Sequence, residues 1–432
     1  MRTSLRFAAV STLALFTAAA LAGPINPPAG PIISSMKTMT EIEPRTAINA
    51  ANTPGDATNM FIINQPGSYY LTGNVTTGSG QTAIKVNASY VTIDLNGFTI
   101  SGGGGTSSGI MIVSTAVQDV VRNGTIVFFS QHGLNATGVK GMQVKDLRVS
   151  LVGSNGIQVG QGSTISDCTI GQSNTGIVLS LSCTLRNSTV QNASFAGVNA
   201  YIGSTITNCT ANNCGVGFAA LSRCTLQSCT AASNTGNGFE GDDWVVVRGC
   251  SATSNGGKGF SLGFRDVEDS CRVVDCTASN NTGIGFYLGY ASLVDGCTAR
   301  SNGGNGFDAS SDSVVRNCIA SQNDGDGIVI GAGTVENCRA SLNGGTGQNH
   351  SGIHASFIGN KIINNVVEAG DLGIRVENLS GNYIVGNTVY NTNSSSAAYS
   401  FPPGVNNNTY GPILGAGPIA AGTSPLSNWW RF

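Results

Sequence analysis

Charged residues are scarce in this sequence, at 10% of its 432 positions, against roughly 25% in an average soluble domain. Lysine and arginine together number 21 and the acids 23, which gives a formal net charge of -2, and no basic run is present. Nucleic-acid-binding domains concentrate positive charge on one face. The composition therefore argues against a nucleic-acid partner.

Long apolar runs are also absent, apart from one at the amino terminus. Two arginines precede an apolar run from Phe7 to Leu21, and Ala20, Leu21 and Ala22 have the small-x-small form of a secretory cleavage site. This pattern predicts a signal peptide over residues 1–22, cleaved near Ala22, and export to the periplasm, the cell surface or the medium. No later segment has the 18 or so apolar residues that cross a bilayer, so we expect no membrane span.

The CxxC spacing of many metal sites is missing too, although the chain has 12 cysteines. Eight of them share one position of a repeated phrase, in which Ser188 fills a gap: Cys168, Cys209, Cys229, Cys250, Cys276, Cys297, Cys318 and Cys338. Residues stacked in parallel register lie about 4.8 Å apart, whereas a disulfide needs Cβ atoms about 3.8 Å apart. We therefore predict a buried column of free thiols, neither a disulfide series nor a metal site.

The repeated phrase is about twenty-one residues long, and a fixed period of this size is typical of a solenoid. Three successive copies read CTASNNTGIGFYLG, CTARSNGGNGFDAS and CIASQNDGDGIVIG. Alignment on the cysteine position gives fourteen rungs from Phe98 to Asn387, each with an inward Val, Ile or Leu three residues earlier. Short apolar runs of period two, stacked in this way, can bury a continuous core.

The residue just before the cysteine position nearly always tolerates the left-handed αL conformation. The fourteen members are Gly97, Asn123, Asp146, Asp167, Asn187, Asn208, Ser228, Gly249, Asp275, Gly296, Asn317, Asn337, Asn364 and Gly386. Glycine, asparagine and aspartate adopt positive φ most readily. The pattern predicts one tight left-handed bend in every coil, with two more variable corners.

Two further columns have a structural interpretation. Asparagines four residues before a glycine predict a hydrogen-bonded corner ladder: Asn213, Asn234, Asn255, Asn281, Asn302 and Asn323. Five phenylalanines that directly follow a glycine predict a stack of rings: Phe218, Phe239, Phe260, Phe286 and Phe307.

With these repeats the chain resembles the pectate-lyase-like superfamily of right-handed β-helix proteins, over roughly Ala83 to Thr392. We expect an all-β fold, a right-handed single-stranded parallel β-helix of about fourteen coils. An N-terminal segment and cap would occupy residues 23–82, the β-helix residues 83–392, and a C-terminal tail and cap residues 393–432. Two strand-like runs, Met60 to Asn64 and Ser68 to Thr72, fall in the N-terminal segment.

The resemblance implies a substrate groove along the strand that carries the phenylalanines. In that strand the residue after the buried one points outward. From Glu240 onward most residues of this outward column are ionisable or aromatic: Glu240, Ser261, Tyr287, Asp308, Val329, His354 and Arg375. We predict a substrate-binding face formed by Glu240, Trp244, Tyr287, Asp308, His354 and Arg375. Two insertions flank it, one with Arg265 and Asp266 and one with His350, and insertions in a repeat often carry function.

The spacing of this column bears on the reaction class. Glu240 and Asp308 are three rungs, or roughly 14 Å, apart, which is too far for the carboxylate pairs of glycoside hydrolases. The NTD, GHG and RIK motifs of polygalacturonases and the DPH motif of alginate epimerases are also missing. A polysaccharide lyase needs a cation and a base, for which His354, Tyr287, Arg375 and Arg265 are candidates, with Asp308 or Asp266 as Ca²⁺ ligands.

Three hypotheses follow from the sequence. The chain is an exported β-helix protein that binds a polysaccharide or cell-surface glycan along the outward column, with Tyr287 and Trp244 as stacking surfaces. Alternatively, it is a lyase that cleaves a uronate polymer by β-elimination. As a third possibility, it is a structural or adhesive surface protein without catalysis. No complete catalytic motif is present, and no cofactor is expected except Ca²⁺ in the case of a lyase.

Overall fold

The computed structural model describes residues 43–105, 107–263, 270–345, 349–368, 371–378, 380–390, 398–401, 407–411, 413–414 and 428–431. Within them the chain winds into a solenoid in which each coil adds one strand to each of three parallel faces. We call these faces A, B and C. Face A leads through corner 1 to face B, face B through corner 2 to face C, and face C through corner 3 to face A of the next coil.

In the described part of the chain, face A is a sheet of sixteen strands. Its strands are Asn59–Ile63, Thr82–Val86, Ile110–Ile112, Leu134–Ala136, Asn155–Val159, Ser173–Leu179, Ala193–Ala200, Val216–Ala220, Phe239–Gly241, Phe260–Leu262, Phe286–Leu288, Phe307–Ala309, Ile328–Ile330, Ser351–Ala355, Leu372–Val376 and Tyr399–Ser400.

Face B precedes the cysteine column, and two of its strands run on through corner 2 into face C. Its strands are Thr46–Ala47, Gly67–Tyr70, Val91–Asp94, Val120–Phe129, Gln143–Val152, Thr164–Ser166, Thr184–Arg186, Thr205–Thr207, Thr225–Gln227, Val246–Arg248, Arg272–Val274, Leu293–Asp295, Val314–Arg316, Thr334–Glu336, Lys361–Ile363, Ser380–Val385 and Asn407–Tyr410.

Face C follows the cysteine column and shares the two long strands with face B. Its other strands are Val75–Thr76, Thr99–Ser101, Thr169–Ile170, Thr189–Gln191, Thr210–Asn212, Thr230–Ala232, Ser251–Thr253, Thr277–Ser279, Thr298–Arg300, Ile319–Ser321, Arg339–Ser341, Val366–Glu368, Thr388–Tyr390, Ile413–Leu414 and Asn428–Arg431.

The predicted all-β parallel solenoid is confirmed, and only the number of coils differs. Face A has sixteen strands among the described residues, whereas the sequence repeat gives fourteen rungs. The additional strands are the first, Asn59–Ile63, which pairs with Thr82–Val86, and the last, Tyr399–Ser400, which pairs with Leu372–Val376. The sequence around these two strands does not contain the repeated phrase, so alignment of the repeats did not predict them.

The core consists of the inward columns predicted from the sequence. The five stacked phenylalanines have ring centroids 4.6 to 5.0 Å apart and planes within 3 to 7° of parallel. All 12 cysteines are buried with free thiols, which confirms the cysteine column. Contacts of this kind repeat along the solenoid, so each coil buries its apolar face against its two neighbours.

The asparagine ladder is confirmed at corner 3, with one change of register. Asn234, Asn255 and the later members each accept hydrogen bonds from the coil before, but Asn213 does not belong to the ladder. Asn213 has φ 52°, and the backbone N–H of Cys214 donates to Asn234 Oδ1 at 2.8 Å instead. In this coil the ladder position, Cys214, is three residues before the glycine of face A, whereas in the following coils it is four residues before it. Counting four residues back from Gly217 therefore gave Asn213 in place of Cys214. At the other end the ladder gains Asn343, which accepts from Asn323.

The left-handed bend at corner 2 is confirmed in all fourteen coils, with φ between 50 and 80°. The other two corners vary in length, as predicted, but they also contain left-handed residues that were not predicted, such as Arg223 and Trp244 at corner 1 and Leu342 at corner 3. An L-residue with a Cβ loses about 1 to 2 kcal/mol there. Hydrogen bonds between coils offset this cost, for example from Arg223 N–H to the carbonyl of Asp243 at 2.9 Å.

At the C-terminal end, strand Asn428–Arg431 lies parallel to Thr388–Tyr390. The predicted signal peptide and Thr392, at the predicted end of the β-helix, lie outside the described residues. The described part of the chain contains no helix that is long and apolar enough to cross a membrane.

Candidate functional site

The outward column of face A has the register predicted from the sequence. Parallel pairing places its members in line on successive coils: Glu240, Ser261, Tyr287, Asp308, Val329, His354 and Arg375. Ser261 is buried, while the other members are partly exposed. The column therefore forms a strip along the outer surface of face A.

A second column, which was not predicted from the sequence, lies beside it. Its members precede the outward residue of their own coil by three positions, where corner 3 enters face A: Asn237, Lys258, Ile284, Asn305 and Asp326. We call it the corner column. Asn237 Nδ2 donates to Glu240 Oε1 at 2.8 Å, and Asn305 Nδ2 donates to Asp308 Oδ2 at 3.1 Å. The corner column thus supplies partners for the acids of the outward column.

His354 lies between carboxylates from the two neighbouring coils. Its Nδ1 is 2.9 Å from Asp326 Oδ2 with hydrogen-bond geometry. Its Nε2 is 3.0 Å from Glu377 Oε1, at ion-pair distance but without hydrogen-bond geometry. The imidazole is largely buried, with 13% of the side chain exposed. One ring therefore links three successive coils.

The electrostatics of this position favour the imidazolium form. Burial alone would lower the pKa of His354, but the hydrogen bond and charge of Asp326 and the charge of Glu377 outweigh it. Arg375 opposes them, and the net effect is a pKa raised above the ordinary value of histidine. A protonated ring has an N–H on each nitrogen, which matches one carboxylate on either side.

Arg375 and the inserted loop complete what we call the His354 cluster, formed by Asp326, His350, His354, Arg375 and Glu377. Arg375 Nη2 lies 2.9 Å from Glu377 Oε1, and Nη1 donates to the carbonyl of Asn349 at 3.3 Å. His350 Nδ1 lies 3.8 Å from Asp326 Oδ1. The insertion predicted to flank the face thus contacts it directly.

A second group, the Lys258 cluster, consists of Glu240, Lys258, Tyr287 and Asp308. Lys258 Nζ lies 3.6 Å from the centroid of the Tyr287 ring, a cation–π contact. Burial lowers the pKa of Lys258, while the charges of Asp308 and Glu240 act in the opposite direction. Burial likewise raises the pKa of Asp308, and Asn305 and Lys258 oppose that shift.

The remaining candidates are placed differently. Trp244 lies at corner 1, after strand Phe239–Gly241, in a left-handed bend with φ 58° and 49% exposure. It is thus at the rim of face A and outside the outward column. Arg265 and Asp266 lie outside the described residues.

Two residues of the His354 cluster carry a signal in the sequence from which they could have been predicted. Asp326 shares its position in the repeat with Asn237 and Lys258, so a second column could have been aligned. Glu377 follows Arg375 by two residues and therefore points the same way.

The surroundings of Asp308 do not fit the predicted Ca²⁺ ligand. Calcium takes six to eight oxygen ligands, whereas Asp308 accepts a hydrogen bond from an amide and lies near the Lys258 ammonium. Within the described parts of the chain, no three His, Cys, Asp or Glu side chains are grouped so that they could hold a metal ion. The described face offers instead a series of fixed hydrogen-bond donors and acceptors.

Comparison with solved structures finds proteins of low similarity. The A-module of mannuronan C-5 epimerase AlgE4 from Azotobacter vinelandii is 13% identical, with 80% of this chain and 91% of that chain covered and a TM-score of 0.38. A mannuronic acid specific polysaccharide family 6 lyase from human gut microbiota is 10% identical, with 77% of this chain and 82% of that chain covered and a TM-score of 0.40. A tailspike protein mutant of E. coli bacteriophage HK620, in complex with pentasaccharide, is 13% identical, with 90% of this chain and 79% of that chain covered and a TM-score of 0.34. Since these TM-scores lie below 0.5, the function must be inferred from the residues of the chain itself.

No curated protein is significantly similar to the chain in sequence. The family model described as right handed beta helix region matches residues 155–264 and 240–362. These matches cover the coils that carry the cysteine, asparagine and phenylalanine columns. Together with the three-faced parallel solenoid, they identify the chain as a right-handed parallel β-helix repeat protein.

Proposed function

We propose that the chain is an exported protein that binds a polysaccharide lengthwise along face A, between Glu240 and Arg375. The observation that carries the proposal is the strip of outward residues on seven successive coils, with their polar groups held by the corner column and by one another. Six steps of about 4.8 Å give a strip about 29 Å long, which suits an extended chain of sugars. Export rests on the sequence of residues 1–22.

The held geometry of these groups supports binding. Side chains that are already fixed lose little conformational entropy when a ligand arrives, so more of the contact energy remains as affinity. Asp308, His354 and Arg375 are all partly buried and each has a defined partner. A structural rod would need no such arrangement on one of its three faces.

The same geometry favours binding over β-elimination. A lyase needs a base that can accept the sugar proton and a cation that can neutralise the uronate carboxylate. Both ring nitrogens of His354 face carboxylates of the protein, with Nδ1 2.9 Å from Asp326 Oδ2 and Nε2 3.0 Å from Glu377 Oε1. Arg375 is engaged by Glu377. Neither group is available for the role that a lyase would give it.

The test is affinity electrophoresis of the full chain against a panel of soluble polysaccharides. The double variant Tyr287→Ala with Asp308→Ala should lower the affinity for a bound polymer by about tenfold or more, because it removes a charged hydrogen-bond partner and an aromatic contact. Asn199→Ala is the matched control, since Asn199 lies on the same column two coils before Glu240. It should leave binding unchanged.

Two results would contradict the proposal. Equal affinities of wild type and the double variant would remove this face as the binding surface. An unsaturated product with ultraviolet absorbance, formed from any polymer, would show β-elimination and a role beyond binding.

A further inference from the structure

The basic side chains Arg375 and His354 each lie beside a carboxylate of the same face. Arg375 is 2.9 Å from Glu377, and His354 is 2.9 Å from Asp326. The charges of Asp308 and Glu240 also act on Lys258. The positive charge of the face is therefore compensated internally.

This pairing penalises an anionic ligand. A uronate carboxylate that contacts Arg375 or His354 would come close to Glu377 or Asp326, and would repel or displace that carboxylate. The displaced group, Asp326 for example, is only 11% exposed at its side chain, and a buried charge without a partner is strongly destabilising. A polymer with one carboxylate per sugar would meet this penalty repeatedly along the strip.

Uncharged sugars meet no such penalty. An ionised carboxylate offers about four lone-pair positions, and Glu240 Oε1 and Asp308 Oδ2 each accept one hydrogen bond from an asparagine. Sugar hydroxyls can donate to the remaining positions, and hydrogen bonds to a charged acceptor are stronger than neutral ones. Glu377, with 39% of its side chain exposed, is open to such a donor.

We infer that the ligand of face A is an uncharged, hydroxyl-rich polysaccharide whose hydroxyl groups donate to Glu240, Asp308 and Glu377. The inference rests on the proposed function and narrows its ligand class. It also predicts weak salt dependence, because no net ion pair forms on binding and salt screens only charge interactions.

The experiment uses the full chain with dextran and galactomannan as uncharged probes, alginate and polygalacturonate as uronate probes, and chitosan as a cationic probe. We expect retention by at least one uncharged polymer, with an affinity that changes less than about twofold between 50 and 500 mM salt. Glu377→Gln should weaken that binding by about five- to tenfold, since a charged acceptor becomes neutral. The same substitution would strengthen uronate binding, because it removes a repulsive carboxylate.

Glu336→Gln is the matched control, since it makes the same change of charge on face B and should leave affinity unchanged. Preferential retention by a uronate polymer or by chitosan, or a gain of affinity for the uncharged polymer in Glu377→Gln, would overturn the inference and leave the proposed function standing. Retention by no member of the panel would overturn both.

Discussion

At the scale of single residues, Asp119 is a carboxylate in an unfavourable position. It is 1% exposed, and its Oδ1 accepts a hydrogen bond from the backbone N–H of Val91 at 2.8 Å. Its Oδ2 is buried and has no hydrogen-bond partner among the described residues. Burial raises the pKa of Asp119, and the backbone N–H groups of Val91 and Tyr90 only partly oppose the shift.

We therefore expect Asp119→Asn to stabilise the protein at pH 7 by about 1 kcal/mol, since the buried charge is removed and the acceptor for Val91 is kept. The pH dependence has a definite sign. With a raised pKa, the native state holds a proton that the unfolded state releases at lower pH, so wild type loses stability as pH rises from the ordinary aspartate pKa through the raised one. Urea unfolding at pH 7 and pH 4 measures the difference in the free energy of unfolding between the variant and wild type, and this difference should be smaller at pH 4.

The control for this measurement is Asp146→Asn, where the side chain is 54% exposed and no gain is expected. An Asp119→Asn variant that is less stable than wild type at pH 7, or equally stabilised at both pH values, would contradict the account of a buried charge.

At the scale of structural elements, the asparagine ladder holds corner 3 together. Asn281 Oδ1 accepts from the backbone N–H and Nδ2 of Asn255 at 3.1 and 2.9 Å. Its own Nδ2 donates to Asn302 Oδ1 at 2.9 Å and to the carbonyl of Ala252 at 3.1 Å. Each amide thus satisfies polar groups of the coils before and after it, in a place that water does not reach.

Truncation of one member should be costly for this reason. Asn281→Ala removes the acceptor of two hydrogen bonds from Asn255 and one donor to the carbonyl of Ala252, and we expect a loss of about 3 kcal/mol in the free energy of unfolding. Urea denaturation followed by circular dichroism measures it. Thr282→Ala, at the exposed neighbouring position, is the control and should have little effect. Similar losses for both variants would contradict a specific role of the ladder.

Some columns and corners of the solenoid could be predicted from the sequence, and others could not. Columns that repeat one residue type, such as the phenylalanines and the αL bend at corner 2, could be aligned because identical side chains stack on identical side chains. The left-handed residues of the other corners were missed because residues such as Arg223 and Leu342 carry no αL preference. In the structure their backbone N–H groups donate to carbonyls of the next coil. The Glu240 to Arg375 column was predictable from period two. Its contacts with Lys258 and Asp326 were not, since they join different positions of different coils.

At the scale of the whole molecule, the cysteines make a clear prediction about chemistry. All 12 are buried and free, and burial raises the pKa of Cys168 to about 12. A thiol that is both inaccessible and protonated reacts slowly. We expect a thiol reagent to label none of them in the native protein and all of them after denaturation, and the thermal midpoint to be the same with and without a reducing agent. Rapid native labelling, or a midpoint lowered by reductant, would contradict this arrangement.

Coil length varies along the solenoid, and the columns stay aligned. Neighbouring members of the cysteine position are 20 residues apart in one coil and 27 in another, yet the strands on either side keep their register. In the longer coil, Asn349 and His350 of the insertion contact Arg375 and Asp326 of the His354 cluster. Under the proposed function, the ligand range of face A could therefore change through the length and composition of the corner segments beside it, while the buried residues of the solenoid are kept.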